Sequence, residues 1–279
     1  MAFKLSLSEL PSLIETLRKW SPESLQMYSL LRNSYRTNNV WPVLEVYVDS
    51  KDMEKLTSVV AVWYLTSQRT QKRYTFYTRD QNTSKVLIRE PGVVEIERDE
   101  FISLNCVEPT IDVVAEYLKV MNFIPGIIGP AYTYILDDLE LADEIASREI
   151  PAKLRIAPLE VKHAKFLLNA WQYGTAPAIE FFENEIKYQQ TLALFNEKGE
   201  PISWVVAKAW GDIGSTYTSP GYRRQGLASI LTAKLAKLIL QQNDIPFTKI
   251  NKNNETSVAL HTKVGFKEVK VNTIWFKLN

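Results

Sequence analysis

Apolar residues in the second half of the chain change their period several times, and each change marks an element. Leu227, Ile230, Leu231, Leu235, Leu238 and Ile239 recur at the three- and four-residue spacing of an amphipathic helix. Upstream, the short run 212–218 reads as a strand and ends in the breaker cluster Ser219-Pro220-Gly221. Residues 221–228 therefore join a strand directly to a helix. The same reading gives a strand at 154–157, helices at 161–171 and 178–188, a strand at 191–195 and, after a turn at 196–201, a strand at 202–208. Beyond the long helix come a strand at 247–250, a helix from Asn254 that stops at Gly265, and a strand at 271–278.

The first half opens with helical patterns at 9–19 and 22–35 and continues with apolar strands at 44–48, 59–65 and 74–78. Val59-Val60-Ala61-Val62-Trp63 echoes the run from Val205 to Trp210, and 114–123 echoes 257–266. Both echoes fall at a lag of roughly 145 residues, which duplication and chance similarity of apolar strands explain about equally well. Acidic and small residues at 137–151 separate the two aromatic-rich halves and place the junction near residue 150.

The joint at 221–228, Gly-Tyr-Arg-Arg-Gln-Gly-Leu-Ala, has the makings of a pyrophosphate cradle. Unpaired amides and the positive end of the helix dipole favour an anion there, and Gly226 and Ala228 let phosphate oxygens approach the main chain. A nucleoside-triphosphate loop needs a Lys and a hydroxyl residue after its second glycine, where this chain has Leu227 and Ala228. A dinucleotide fingerprint is excluded because no Gly-x-Gly occurs. An ordinary strand-to-helix turn would also use these residues.

The order Arg223-x-x-Gly226-x-Ala228 resembles the acyl-CoA loop of the GNAT superfamily of N-acyltransferases, Gln/Arg-x-x-Gly-x-Gly/Ala. A second superfamily signature, Asn-x-x-Ala/Ser-x-x-Leu-Tyr-x-x-x-Gly-Phe, is matched by Asn254, Ser257, Leu260, Gly265 and Phe266, with His261 in the tyrosine position. Ser203-Trp204, Gly211-Asp212 and Pro220-x-Tyr222-Arg223-x-x-Gly226-Leu227 further resemble the glycine N-acyltransferase family, which has Gly-Glu at the second of these places. The resemblance is good over this stretch and weak before residue 140. It implies a mixed α/β, tandem GNAT fold, with a degenerate N-terminal copy at 1–150 and an acyl-CoA-binding catalytic domain at 151–279. No loop like 223–228 occurs in the first half, so only the second is expected to hold CoA.

By the same resemblance the protein is an acyl-CoA-dependent N-acyltransferase. It joins the acyl group of acetyl-CoA or a longer or aromatic acyl-CoA to glycine or another small amine, by direct transfer in a ternary complex. The CoA would lie on the backbone of Thr216, Tyr217 and Thr218, which also supplies the oxyanion donor, and on Arg223, Arg224, Gln225, Gly226, Leu227, Ala228 and Ser229. Asn254 would contact CoA or cap its helix. Asp212, one methylene shorter than the family's Glu, is the candidate base for the acceptor ammonium; an Asp after a glycine also suits a plain turn. His261, with an ordinary pKa of about 6.5, is either a proton donor to the departing thiolate or a helix-surface histidine. Two other readings stay open, an inactive acyl-CoA-binding or interaction module and an acetyltransferase acting on a protein amine.

Composition narrows these readings. The chain has 279 residues and a formal charge of +1, so no basic footprint for nucleic acid or an anionic membrane surface is present. One cysteine and two distant histidines give neither a disulfide framework nor metal spacing, and no permanently bound cofactor is expected. Cys106 is expected to be an unreactive thiol, His163 to lie on a solvated helix face, and the tryptophans to be core or interface residues. Lys4, Glu9 and Glu15 interrupt any leader-like N-terminus and no stretch reaches transmembrane length. A soluble monomer or weak homodimer in the cytoplasm is the expectation, although the family resemblance points to mitochondria.

Overall fold

The computed structural model describes residues 1–64, 72–96, 102–124, 126–171 and 178–278. The chain divides into two compact units, one of residues 1–131 with 271–279 and the other of residues 132–270.

The first unit runs β1 (Phe3–Leu5), α1 (Leu10–Lys19), α2 (Leu25–Arg36), β2 (Val43–Val48), β3 (Ser58–Tyr64), β4 (Lys72–Thr78), α3 (Gln81–Leu87), β5 (Ile102–Val107), α4 (Thr110–Val120) and the start of β6 (Gly126–Leu136). β1 to β4 pair antiparallel in sequence order. β3 is apolar at nearly every position and is buried on both faces, as a central strand must be. β4 pairs β5 in parallel, from Arg73 opposite Ser103 to Phe76 opposite Cys106. Tyr74, Phe76, Val114 and Leu118 form part of the unit's core. The Cys106 side chain lies outside the described residues.

The second unit takes the rest of β6 and continues with α5 (Leu139–Ser147), β7 (Arg155–Ala157), α6 (Ala164–Asn169), α7 (Ile179–Tyr188), β8 (Thr191–Phe195), β9 (Pro201–Ala207), β10 (Ile213–Thr218), α8 (Leu227–Gln241), β11 (Phe247–Asn251), α9 (Glu255–Val264) and β12 (Phe266–Leu278). The chain returns to the first unit within β12, whose last residues pair β5 antiparallel. β7 to β10 form an antiparallel sheet. Leu227, Ile230, Leu231, Leu235 and Ile239 of α8 are buried with Leu194, Val205 and Ile213, each such side chain contributing roughly 1.5–3 kcal/mol. The elements from β1 to β6 and those from β7 to β12, with α5 between them, each run strand, two helices, three strands, helix, strand, helix, strand, and β3 with β9, and α4 with α9, hold matching places.

Three expectations need correction. The acidic stretch at 137–151 contains a helix instead of a linker: Asp138 caps α5 by accepting from Leu141 N at 2.9 Å, and Ala142, Ile145 and Ala146 are buried in the second unit's core. The compact units accordingly change over at 131/132, ahead of the expected junction near 150, and again at 270/271. Gly265 ties this helix to the second motif. At φ +100°, a Cβ on it would meet the Asp138 carbonyl at 2.7 Å, and its own carbonyl accepts from Asp137 N and Asp138 N. His163, expected in solvent, is buried 5.2 Å from the Phe195 ring, and its Nδ1 accepts from Glu160 N at 2.9 Å.

Candidate functional site

The site is organised by β10. Ile213 and Gly214 face Ala207 and Val206 on β9, whereas Tyr217 and Thr218 face Trp204 and Ser203. One extra residue is therefore held in β10 between Gly214 and Tyr217, and Ser215 turns left-handed at φ +48° to accommodate it. The ring of Tyr217 stacks on Trp204 at 4.5 Å, and Ser203 Oγ donates to the Tyr217 carbonyl at 2.9 Å. The far edge of β10 does not join β11, which belongs to another sheet. A side-chain hydrogen bond, Thr248 Oγ1 to the Ile213 carbonyl at 2.8 Å, links the two strands near their start. The bulge and the missing ladder leave the outer edge of β10 without a strand partner, and residues 214–218 are all half-buried.

β10 spans roughly 20 Å at about 3.3 Å per residue, and leads into the predicted cradle. Arg223 Nε donates to the Thr218 carbonyl at 2.9 Å and holds the exit of the strand. Arg224 at φ +65° and Gly226 at φ +76° then curl the backbone. Gly226 caps α8 with no side chain, and the first helical bond is Ile230 N to its carbonyl at 3.1 Å. The amides of Gly226, Leu227, Ala228 and Ser229 have no backbone partner, the arrangement that favours an anion at a helix start. A Cβ on Gly226 would meet nothing within 4 Å, so the glycine serves the left-handed turn and keeps the mouth open. Arg224 and Gln225 are exposed beside it, while Leu227 and Ser229 turn inward to the core. Thr216 Oγ1 is enclosed without a hydrogen-bond partner.

At the other end of β10, a tight hairpin from β9 is closed by Lys208 N to the Asp212 carbonyl at 2.9 Å and Gly211 N to the Lys208 carbonyl at 2.8 Å. Gly211 takes the left-handed conformation there, at φ +94°. The turn uses the backbone of Asp212 alone, and its side chain goes into the core, 8% exposed, with Oδ1 enclosed and unpartnered. Burial pushes the Asp212 carboxyl up, opposed first by Lys249 and then by Lys208 and a hydrogen bond from Trp210. Lys208 Nζ donates to Glu185 Oε2 at 3.0 Å, both buried, and lies 5.4–6.0 Å from the rings of Trp171, Phe181 and Trp210. The Lys249 Nζ is also enclosed, and burial pulls its ammonium down to about 7.

Of this charged quartet sequence reasoning named Asp212 alone, yet each of the other three left a mark. Glu185 falls on the apolar face of α7 with Phe181, Phe182 and Ile186, Lys208 follows the apolar run of β9, and Lys249 interrupts that of β11.

Of the two candidate residues at α9, Asn254 takes one of its two expected roles and His261 departs from both of its own. Asn254 Oδ1 accepts from Ser257 N at 3.1 Å and caps its helix. His261 is 2% exposed, packed edge-on to Phe266, with Nδ1 at 2.8 Å from the Ser257 carbonyl. Facing a carbonyl, Nδ1 must carry the proton, and burial holds the ring below the usual imidazole range. Nε2 is then an enclosed acceptor, the reverse of what protonating a thiolate requires. Among the described residues no cluster of three or more His, Cys, Asp and Glu could hold a metal ion, and no helix is long and apolar enough to cross a membrane.

Residues 191–276 match the family model described as FR47-like protein. Over 93% of its length the chain is 22% identical to human glycine N-acyltransferase-like protein 2, covering 92% of that protein. A Drosophila protein of known crystal structure superposes at a TM-score of 0.82 with 18% identity, covering 100% of this chain and 98% of that one. A tandem GNAT protein from the clavulanic acid biosynthesis pathway superposes at 0.57 with 13% identity, covering 99% and 97%. With its repeated element order, its bulged and unzipped β10 and its FR47-like residues 191–276, this chain has the fold of the tandem GNAT proteins and is similar along nearly its whole length to a glycine N-acyltransferase-like protein.

Proposed function

We propose that the protein is an acyl-CoA-dependent N-acyltransferase that passes an acyl group directly from the CoA thioester to the amine of glycine or another small acceptor. The observation that carries this reading is the combination on one strand of an open amide cradle at one end and a buried, unpaired carboxylate oxygen at the other. In this reading the pyrophosphate sits on the amides of Gly226 to Ser229, with Arg224 and Gln225 beside it. The pantetheine arm lies along the outer edge of β10 at Thr216, Tyr217 and Thr218, and a backbone N–H of the bulge receives the developing oxyanion.

Asp212 takes one proton from the acceptor ammonium. The freed nitrogen attacks the thioester carbonyl, a C–N bond forms, the nitrogen of the tetrahedral intermediate gives up its second proton to water, and the C–S bond breaks as that intermediate collapses to the amide. CoA leaves as a thiolate, which is stable enough to depart without an acid.

The rival reading is an acyl-CoA-binding module without acceptor chemistry. It draws support from His261, which is turned into the core, and from the enclosure of Asp212 Oδ1. Thiol release from a panel of acyl-CoAs with glycine, other small amines and a protein N-terminus separates the two. Amine-dependent release supports the enzyme; thermal stabilisation by CoA with no release under any amine supports the module. Stabilisation by no CoA species overturns both.

A further inference from the structure

The core of the second unit holds four ionisable groups around the start of β10: Glu185 from α7, Lys208 from the end of β9, Asp212 from the hairpin and Lys249 from β11. Their geometry divides them. The Lys208 side chain passes over Gly214, where a Cβ would meet its Cε at 3.5 Å and Asp212 Oδ2 at 3.9 Å. Its Nζ continues beyond Asp212 to Glu185 at 3.0 Å, among three aromatic rings. The charge of Lys208 is thereby matched across the hairpin. On the other side, Thr248 Oγ1 donates to the Ile213 carbonyl, which brings the chain neighbours Lys249 and Asp212 into the same stretch of β11 and β10, and the two charges act on one another there. The ammonium of Lys249 and the carboxylate oxygen Oδ1 are both closed off from water.

We propose that Lys249 is a positioning residue for the base: enclosed beside Asp212 at the point where β11 diverges from β10, its ammonium keeps that carboxylate ionised within the core and so sets the acid edge of acyl transfer. A carboxylate this deep loses the hydration that stabilises its charge and would otherwise hold its proton to higher pH, leaving less of it ionised to act as a base. A cation fixed a few ångströms away lowers it again by about one to three pH units. The electrostatics agree in direction, since burial raises Asp212 and Lys249 is the largest opposing influence, while Asp212 in turn supports the charge of Lys249. Lys249 acts through Asp212 and needs no contact with either substrate. The inference rests on the acyl-transfer reading for its consequence in catalysis, but not for its electrostatic content.

The test therefore has two arms. In the first, the Asp212 carboxyl carbon is titrated by NMR in uniformly labelled protein, the signal being assigned by its loss in Asp212→Asn, for wild type and for Lys249→Met. The expected result is an Asp212 midpoint higher by about one to three pH units in Lys249→Met. A midpoint unchanged in a folded variant overturns the proposal. In the second arm, the pH profile of kcat/KM for CoA release is compared in the same proteins. Its acid limb should move upward by the same interval, with the plateau largely kept above it. A uniform loss at every pH, with no displaced limb, means a structural role for Lys249 and overturns the proposal. Lys249→Gln serves in both arms if the methionine variant fails to fold. A wild type that releases no CoA with any amine strikes at the acyl-transfer reading and leaves the NMR titration to decide this one.

Discussion

The two strand-to-helix corners of the molecule occupy the same place in their units and are built in opposite ways. In the first unit β4 runs in unbroken register against β3, from Tyr64 opposite Lys72 to Ser58 opposite Thr78, and its other edge is zipped to β5. The helix that follows is capped by its own acid: Asp80 Oδ1 accepts from Asn82 N at 2.9 Å and Oδ2 from Thr83 Oγ1 at 2.8 Å. In the second unit β10 is bulged, its far edge is free of a ladder, and Gly226 leaves four amides bare. The helix start of one corner is filled from within by a carboxylate, and that of the other is bare. The open corner thus differs from the closed one by three withheld satisfactions, a register, a strand partner and a cap.

The largest effect is expected where the open corner meets its chemistry. Asp212→Asn should lower the rate of CoA release by about 10²–10⁴-fold while stabilisation by acyl-CoA persists, as melts and thiol release measured side by side will tell. Unchanged turnover would leave the open corner as a binding site with its base elsewhere.

Next comes the scaffold beneath it. Lys208→Met strands Glu185 without its buried partner and should cost about 3–5 kcal/mol in urea unfolding. The double variant Glu185→Gln/Lys208→Met should recover a good part of this. If the single variant unfolds like wild type, the pair is not what holds the hairpin under β10.

The comparison itself is tested by moving the cap. Gly226→Asp places the first unit's carboxylate at the open corner and should abolish the roughly 2.7 kcal/mol of stabilisation that CoA gives at about 100 times its dissociation constant. Gly226→Asn tolerates the same left-handed turn without the charge and should keep much of it. Equal behaviour of the two would mean that backbone strain, not anion competition, governs the cradle.

The smallest effect is expected in the closed corner. Hydrogen bonds from Thr83 and from the Asn82 amide hold Asp80 below the usual carboxylate range, so its stabilising contribution is present above the unfolded pKa and is lost as pH falls through the folded one. Asp80→Asn should therefore lower the melting temperature slightly at neutral pH and match wild type at strongly acidic pH. It should also gain no response to CoA, because the register of β4 with β5 stays closed.

The sequence made the long-period features plain and hid the two-sided ones. The stripe of α8, the stop at Gly265 and the bare glycine at 226 are local signals, each written in consecutive residues. The bulge at Ser215 depends on the partner strand for its register, and Asp212, Lys208, Glu185 and Lys249 come together only when three strands and a helix are packed. The helix α5 was masked for a related reason: Asp137, Asp138, Glu140, Asp143 and Glu144 made the stretch read as a solvated link, while only three small or branched residues, Ala142, Ile145 and Ala146, carry its buried face. His261 misled because its place in the second motif is that of a tyrosine, whereas its burial is decided by Phe266.

The bond between Gly265 and the start of α5 bears on how the protein can be taken apart. A fragment begun at residue 151 would carry both sequence motifs and still lose Asp137 and Asp138, the donors to the Gly265 carbonyl, along with the alanine face of α5 that lies in the core with α8. Its surface would bear a freshly uncovered strip of leucine and isoleucine, and it should precipitate or bind to itself. The compact unit that holds both motifs begins at Tyr132, so the open corner is packed on residues that its own motifs never mention.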